Sequence, residues 1–270
     1  MTSSNALAFG LAALLPLGPV AATANPLPNE ETLIQLDLVS GWEIAPGQHM
    51  AGLRLSVADG WKTYWRAPGD AGVPPRFDFS GSENLADVTV HWPMPEVFDS
   101  WGMQVLGYTG EVVLPIELTA IDPTQPIHLA GIADLGVCSD VCLAVTMPMQ
   151  NQGEPAQQSI QRAMGDLPQS AQEAGVGAMA CQVTPTSDGV QLTATIELPK
   201  LGGKEIAVVE MRREDVWISM PQLERRGKSL QVQADFVPPE AAPFALDHSE
   251  LRLTLLGRKG AVEFFGCPTS

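Results

Sequence analysis

Apolar and polar residues alternate with a period of two over short stretches of this chain, and glycine and proline separate the stretches. Leu36 and Leu38 alternate with Gln35 and Asp37, and Leu53, Leu55 and Val57 alternate with Arg54 and Ser56. That is the period of a half-buried strand, and it predicts strands over residues 32–39 and 49–57. A third is expected over 61–66. Turn formers then crowd residues 67–75, so an irregular loop is expected there. Residues 88–92 and 111–118 read as further strands. An apolar approach over 127–132 and a β-prone exit over 143–147 flank Gly136-Val137-Cys138-Ser139-Asp140-Val141-Cys142. About seven strands in so short a span predict a two-sheet sandwich.

The pattern then changes. Ile160, Ala163, Met164 and Leu167 recur at helical spacing, and Gly165 and Pro168 close the run. Residues 169–177 are small and polar, the composition of a linker. Strand patterns return over 180–184, 190–198, 216–220, 229–237, 251–256 and 261–265, predicting a second, smaller sandwich. The expected organisation is all-β: a sandwich over 25–150, helix and linker over 151–176, and a second β-rich domain over 177–270.

Residues 1–24 follow neither period. An uncharged Leu/Ala-rich run over 6–22 ends in Ala22-Thr23-Ala24, a small-residue cleavage pattern, although no Lys or Arg precedes it. Pro16 and Pro19 argue against a stable spanning helix, so an export signal is the expectation. No later stretch reaches the apolar length of a membrane span. The mature protein is thus expected to be exported, soluble and in a compartment where disulfides persist. A net charge of −16 disfavours nucleic acid and anionic membrane surfaces as partners.

The chemistry concentrates in four cysteines. If the chain reverses at Ser139-Asp140-Val141, Cys138 and Cys142 face each other across the neck of a hairpin, within disulfide range. Cys181 and Cys267 lie near the first and last strands of the second region. By chain entropy, the short loop is worth about 2 kcal/mol and the long one about 4.6. The distant pair is therefore the natural structural staple, and the neighbouring pair reads as a reversible dithiol.

Asp59-Gly60-Trp61-Lys62-Thr63-Tyr64-Trp65-Arg66-Ala67-Pro68-Gly69-Asp70-Ala71-Gly72 resembles the signature of the periplasmic N-terminal domain of DsbD- and ScsB-type thiol-disulfide reductases. Trp92-Pro93-Met94-Pro95, Leu106-Gly107-Tyr108-Thr109-Gly110-Glu111-Val112 and the Cys138/Cys142 pair follow in that family's order, over roughly residues 30–170. The resemblance implies an immunoglobulin-like fold in the periplasm. It implies that the cysteines accept electrons from a membrane-embedded thiol reductase and pass them to thioredoxin-like periplasmic proteins, without a cofactor. The three-residue spacing is closer to the ScsB branch. The transmembrane and thioredoxin-like domains of the longer members are not in this sequence, so the resemblance implies a standalone member served by separate proteins. It also implies Cys142 as the sulfur that bonds a partner and Cys138 as the one that resolves it.

Asp134 and Asp140 flank the pair, and no Lys or Arg lies between Arg76 and Arg162, so on local grounds neither thiol is expected to be acidic. His49, His91, His128 and His248 carry no nucleophile signature. Two alternatives stand beside the relay. One is Cu(I) handling in copper tolerance by Cys138 and Cys142 with Met147, Met149 or His128; the other is a non-catalytic binding or assembly module. Tyr64, Trp65 and Tyr108 are candidates to cover the cysteines, and residues 68–72 a candidate covering loop.

Overall fold

The structure is a computed structural model that describes residues 30–69, 71–100, 102–213 and 215–268. The export-signal stretch 1–24, and Asp70 of the turn-rich motif, lie outside the described residues. A short α1 (Glu30–Leu33) leads into β1 (Ile34–Ala45), β2 (Gln48–Val57), β3 (Lys62–Gly69), β4 (Arg76–Asp78) and β5 (Leu85–Val90). Then come β6 (Glu96–Ser100), β7 (Met103–Tyr108), β8 (Glu111–Ala120), β9 (Gly131–Cys138) and β10 (Cys142–Pro155). After α2 (Gln157–Gly165) follow β11 (Gln169–Ser170), β12 (Met179–Pro185), β13 (Val190–Glu197), β14 (Ile206–Met211) and β15 (Trp217–Ile218). The chain finishes with β16 (Gln222–Arg226), β17 (Ser229–Val237), β18 (Leu251–Gly257) and β19 (Gly260–Phe265). The fold is all-β and immunoglobulin-like.

The first ten strands pair in the order β5-β8-β2-β1-β10-β9-β3-β7-β6, with β4 joined to β9. β10 serves both layers. From Cys142 to Met149 it runs antiparallel to β9, and from Gln150 onward it runs parallel to β1. Leu36, Leu53 and Leu114 from one layer meet Trp65, Leu135 and Val145 from the other in a single buried cluster. Each such side chain contributes about 1.5–3 kcal/mol when fully buried. α2 covers the outside of this sandwich, setting Ile160 against Val39, Met50 and Val113.

Several expected boundaries move: the strand expected over 32–39 starts only after α1, at Ile34, and two further changes lie near the hairpin. The approach over 127–132 is a strand only from Gly131; before it, His128 makes a lone bridge to Glu83. β3 continues through Gly69 where turn formers predicted a loop, at the cost of a register break between Tyr64 and Gly69. Gly69 takes φ 85°, and a Cβ there would lie 2.3 Å from the Gln104 carbonyl oxygen. Only glycine permits both.

The second sandwich stacks the sheet β11-β19-β18-β14 on β12-β13-β17-β15, with β16 paired to β17. The expected linker is tied down, because Gln169 and Ser170 pair with β19 and Ala171, Ala174 and Val176 pack on the second core. β14 escaped period reading because it is buried on both faces. Ala207 and Val209 enter the second core, whereas Ile206 and Val208 join the core of the first sandwich. Leu256 and Ala261 join it too.

An arginine fastens this junction. Arg66, in the middle of β3, donates through Nε and Nη2 to Glu210 at 3.0–3.2 Å and through Nη2 to Glu263 at 2.6 Å. Nη2 also reaches the buried Thr254 hydroxyl, and the guanidinium lies 3.8 Å over the Trp65 ring. Bidentate contact and stacking are what distinguish arginine from lysine at such a place.

Candidate functional site: a dithiol at the neck of a hairpin

The β9–β10 hairpin closes through three residues, and the Ser139 amide donates to the Val141 carbonyl at 3.0 Å. Cys138 and Cys142 are directly opposed in the ladder, with Cα atoms 4.2 Å apart, and their sulfurs are joined. The two sulfurs differ sharply in access. Cys138 is 1% exposed, whereas Cys142 is exposed at the strand's start.

Tyr64 accounts for much of that difference. Its Oη lies 2.6 Å from Cys138 Sγ and 3.4 Å from Cys142 Sγ. Burial pushes its phenol above the ordinary value, so near neutral pH it is a proton-bearing donor. β9 makes room for the ring with Gly136, where a Cβ would come within 2.7 Å of Tyr64 Cδ2 and Cε2. Thr63, fully buried, donates to the Gly136 carbonyl at 3.0 Å and locks β3 to β9 at this point. Val105 completes the buried cluster with Tyr64 and Cys138, and Phe98 packs against it from β6.

Of the aromatics singled out in the sequence, only Tyr64 is placed at the sulfurs. Trp65 points to the opposite side of β3 and is wholly buried in the sandwich core. Tyr108 is also in that core, its hydroxyl donating to the Pro93 carbonyl at 2.8 Å. Near the proposed covering loop, a Cβ on Gly72 would meet Pro68 and Tyr64, and Val73 lies by Gly136. That segment therefore backs the Tyr64 ring. Phe98 and Val105 had no local signal, because they reach the dithiol through β7 and β6 rather than through nearby sequence. Gly136 did have one: a glycine two residues before a cysteine in a strand marks a close approach.

The sheet also adds a charge that the local sequence lacks. Lys62 is the ladder partner of Cys138 across β3 and β9. A cation thus stands beside a dithiol whose own stretch of sequence has none, with Lys62 Nζ 5.6 Å from the Phe98 ring centroid.

Cys181 and Cys267 are joined, Cα atoms 5.9 Å apart, both buried in the second core. The Cu(I) ligand set is not gathered. Met147 pairs with Ala133 and Met149 with Gly131, five and seven residues along β10 from Cys142. At about 3.3 Å per residue that is roughly 17–23 Å. Among the described residues, no group of three or more His, Cys, Asp or Glu is placed to hold a metal ion. No helix among them is long and apolar enough to cross a membrane.

Residues 25–153 match the family model for the N-terminal domain of the thiol:disulfide interchange protein DsbD. The fold is similar to the crystal structure of the N-terminal periplasmic domain of ScsB from Proteus mirabilis. The sequences are 25% identical, the TM-score is 0.65, and the match covers 88% of this chain and 92% of that chain. A match so long takes in the second sandwich as well as the first. No curated protein matches the chain.

Proposed function

We propose, for a chain whose residues 25–153 belong to the DsbD N-terminal family of thiol:disulfide interchange domains, that Cys138 and Cys142 relay electron pairs to oxidised dithiols in the periplasm. The observation that carries this reading is the asymmetry of the pair: one sulfur exposed, the other directly opposite it and buried beneath a tyrosine. Exchange needs an accessible sulfur to be joined and a sheltered one to resolve the bond. In the reduced protein, the Cys142 thiolate attacks a partner disulfide, forming a mixed disulfide and expelling the partner's first thiolate. Cys138 then loses its proton and attacks Cys142 Sγ. The Cys138–Cys142 bond forms, the partner's second thiolate leaves and is protonated, and two electrons have passed to the partner. Recharging runs the same steps backwards, from a thiol donor that the family reading assigns to a membrane-embedded reductase. Thioredoxin-like proteins are the proposed acceptors.

The test is trapping in the exporting cell. The Cys138→Ala variant is expected to accumulate a reducible covalent complex on non-reducing gels, and the Cys142→Ala variant to form none. Full exchange activity in the double Cys→Ala variant would end this reading.

A further inference from the structure

Cys142, Cys138 and Lys62 stand in one row across three adjacent strands. Cys142 on β10 opposes Cys138 on β9, and Cys138 opposes Lys62 on β3. Directly opposed residues project from the same face of a sheet, their Cβ atoms about 4.5–5.5 Å apart. Tyr64, two residues along β3 and so on that same face, touches both sulfurs. Phe98 packs on the Cys138 cluster, and Lys62 Nζ sits over its ring at 5.6 Å. The Lys62 backbone is therefore fixed opposite Cys138, and its ammonium lies over the ring that packs on the Cys138 cluster.

We infer that Lys62 is a positioning residue for thiol exchange: its charge stabilises the thiolate that the reduced Cys138/Cys142 pair must form. The inference rests on the relay reading but concerns the ionisation of the reduced protein alone. Among the described residues, Tyr64 from β3 touches both sulfurs and keeps its proton, and Asp140 stands in the turn between the two cysteines. β7 and β6 bring the apolar Val105 and Phe98. Asp140 opposes a second negative charge and Lys62 favours it. Lys62 has the better placement, because its row contains both sulfurs and its head group lies over the cluster that buries Cys138. Asp140 is exposed in the turn, where water screens it.

A neighbouring unit charge, at an effective dielectric constant of roughly 20–80, shifts a thiol by about half to one and a half pH units. The experiment compares the pre-reduced wild type with Lys62→Gln and Lys62→Arg. Iodoacetamide is the probe, and the rate of alkylation is followed from pH 5 to 10, with near-ultraviolet circular dichroism as the check on fold. Lys62→Gln is expected to raise the lowest thiol pKa by about one unit, a roughly tenfold loss of thiolate near pH 7. Lys62→Arg, which keeps the charge, is expected to restore the wild-type profile within about 0.3 units. An unchanged profile in Lys62→Gln overturns the inference, and so does an equal shift in both variants, which would mean packing rather than charge. If the wild type reduces no oxidised dithiol partner while the alkylation profiles move as stated, the relay reading fails and the role of Lys62 stands.

Discussion

Tyr64 and Cys138 are 74 positions apart in the chain, yet the phenol oxygen and the sulfur lie 2.6 Å apart inside the protein. The phenol is kept protonated by burial, so it donates to whatever charge the sulfur carries. Bonds to charged groups are worth about 1.5–3 kcal/mol net, and sulfur is at the weak end of acceptors. In a Cys142→Ala background, Tyr64→Phe is expected to raise the Cys138 thiol pKa by about one unit. Because the ring is retained, urea unfolding should move by less than about 1 kcal/mol. Alkylation rates against pH measure the first quantity, and an unmoved profile would leave Tyr64 a packing residue only.

Gly136→Ala attacks the same contact from the other side. Its methyl group would overlap the Tyr64 ring carbons, which lie 2.7 Å from the Cβ position. Overpacking of this kind costs about 1–3 kcal/mol. The ring is expected to tilt off the sulfurs, and Cys138 in the reduced protein should react faster with a bulky maleimide. Slower or unchanged labelling, in a variant that remains folded, would show that β9 yields instead of the ring.

The two disulfides should separate under graded reduction. Cys181 and Cys267 are 2% and 9% exposed, whereas Cys142 is open to solvent. Mild dithiothreitol is expected to open Cys138–Cys142 first, as read by peptide mapping of labelled thiols. Replacing both Cys181 and Cys267 with alanine should lower stability by about 2–5 kcal/mol while leaving the thiol pKa values of the first pair unmoved. Finding Cys181 and Cys267 as free thiols in the native protein would sink this prediction.

At the junction of the sandwiches, Arg66 faces two carboxylates, Glu210 and Glu263. Arg66→Met leaves those anions together with only Arg252, which reaches Glu263 at 2.8 Å. The expected loss is about 3–5 kcal/mol, the usual cost of stripping one partner from a buried pair. Adding Glu210→Gln and Glu263→Gln should recover a large part of it. A fragment over 25–169 is expected to fold, because Leu36, Leu53, Leu114 and Trp65 lie within it. It should also bind a hydrophobic dye more strongly than the full chain, having lost its cover from Ile206, Val208, Leu256 and Ala261. Circular dichroism and dye fluorescence decide between that outcome and an unfolded fragment.

The legible parts of this chain were those written locally. Strands with one wet face, such as β13 and β17, announce themselves by alternation, and the three residues between Cys138 and Cys142 announce a hairpin. What stayed hidden depends on a third element arriving. β14 has no alternation because each of its faces meets a different core. Lys62 and Phe98 lie far from the cysteines in sequence and join them only through cross-strand pairing, which no window along the chain can register. Trp65 and Tyr108 were indistinguishable from Tyr64 by residue type. Strand parity separates Trp65 from Tyr64, and the register break in β3 blurs parity from sequence.

β10 begins at the exposed cysteine and ends in the other layer, and this gives the protein a mechanical character. A load applied at Cys142 along the axis of that strand meets the ladder lengthwise. Ladder hydrogen bonds lie across the strand, so such a tug loads the eight paired positions with β9, and then the contacts with β1, together. They resist as a lap joint does, in shear. Peeled from its other end, the same strand would release its contacts one by one. The exposed sulfur is thus anchored where a pull of that kind does least damage.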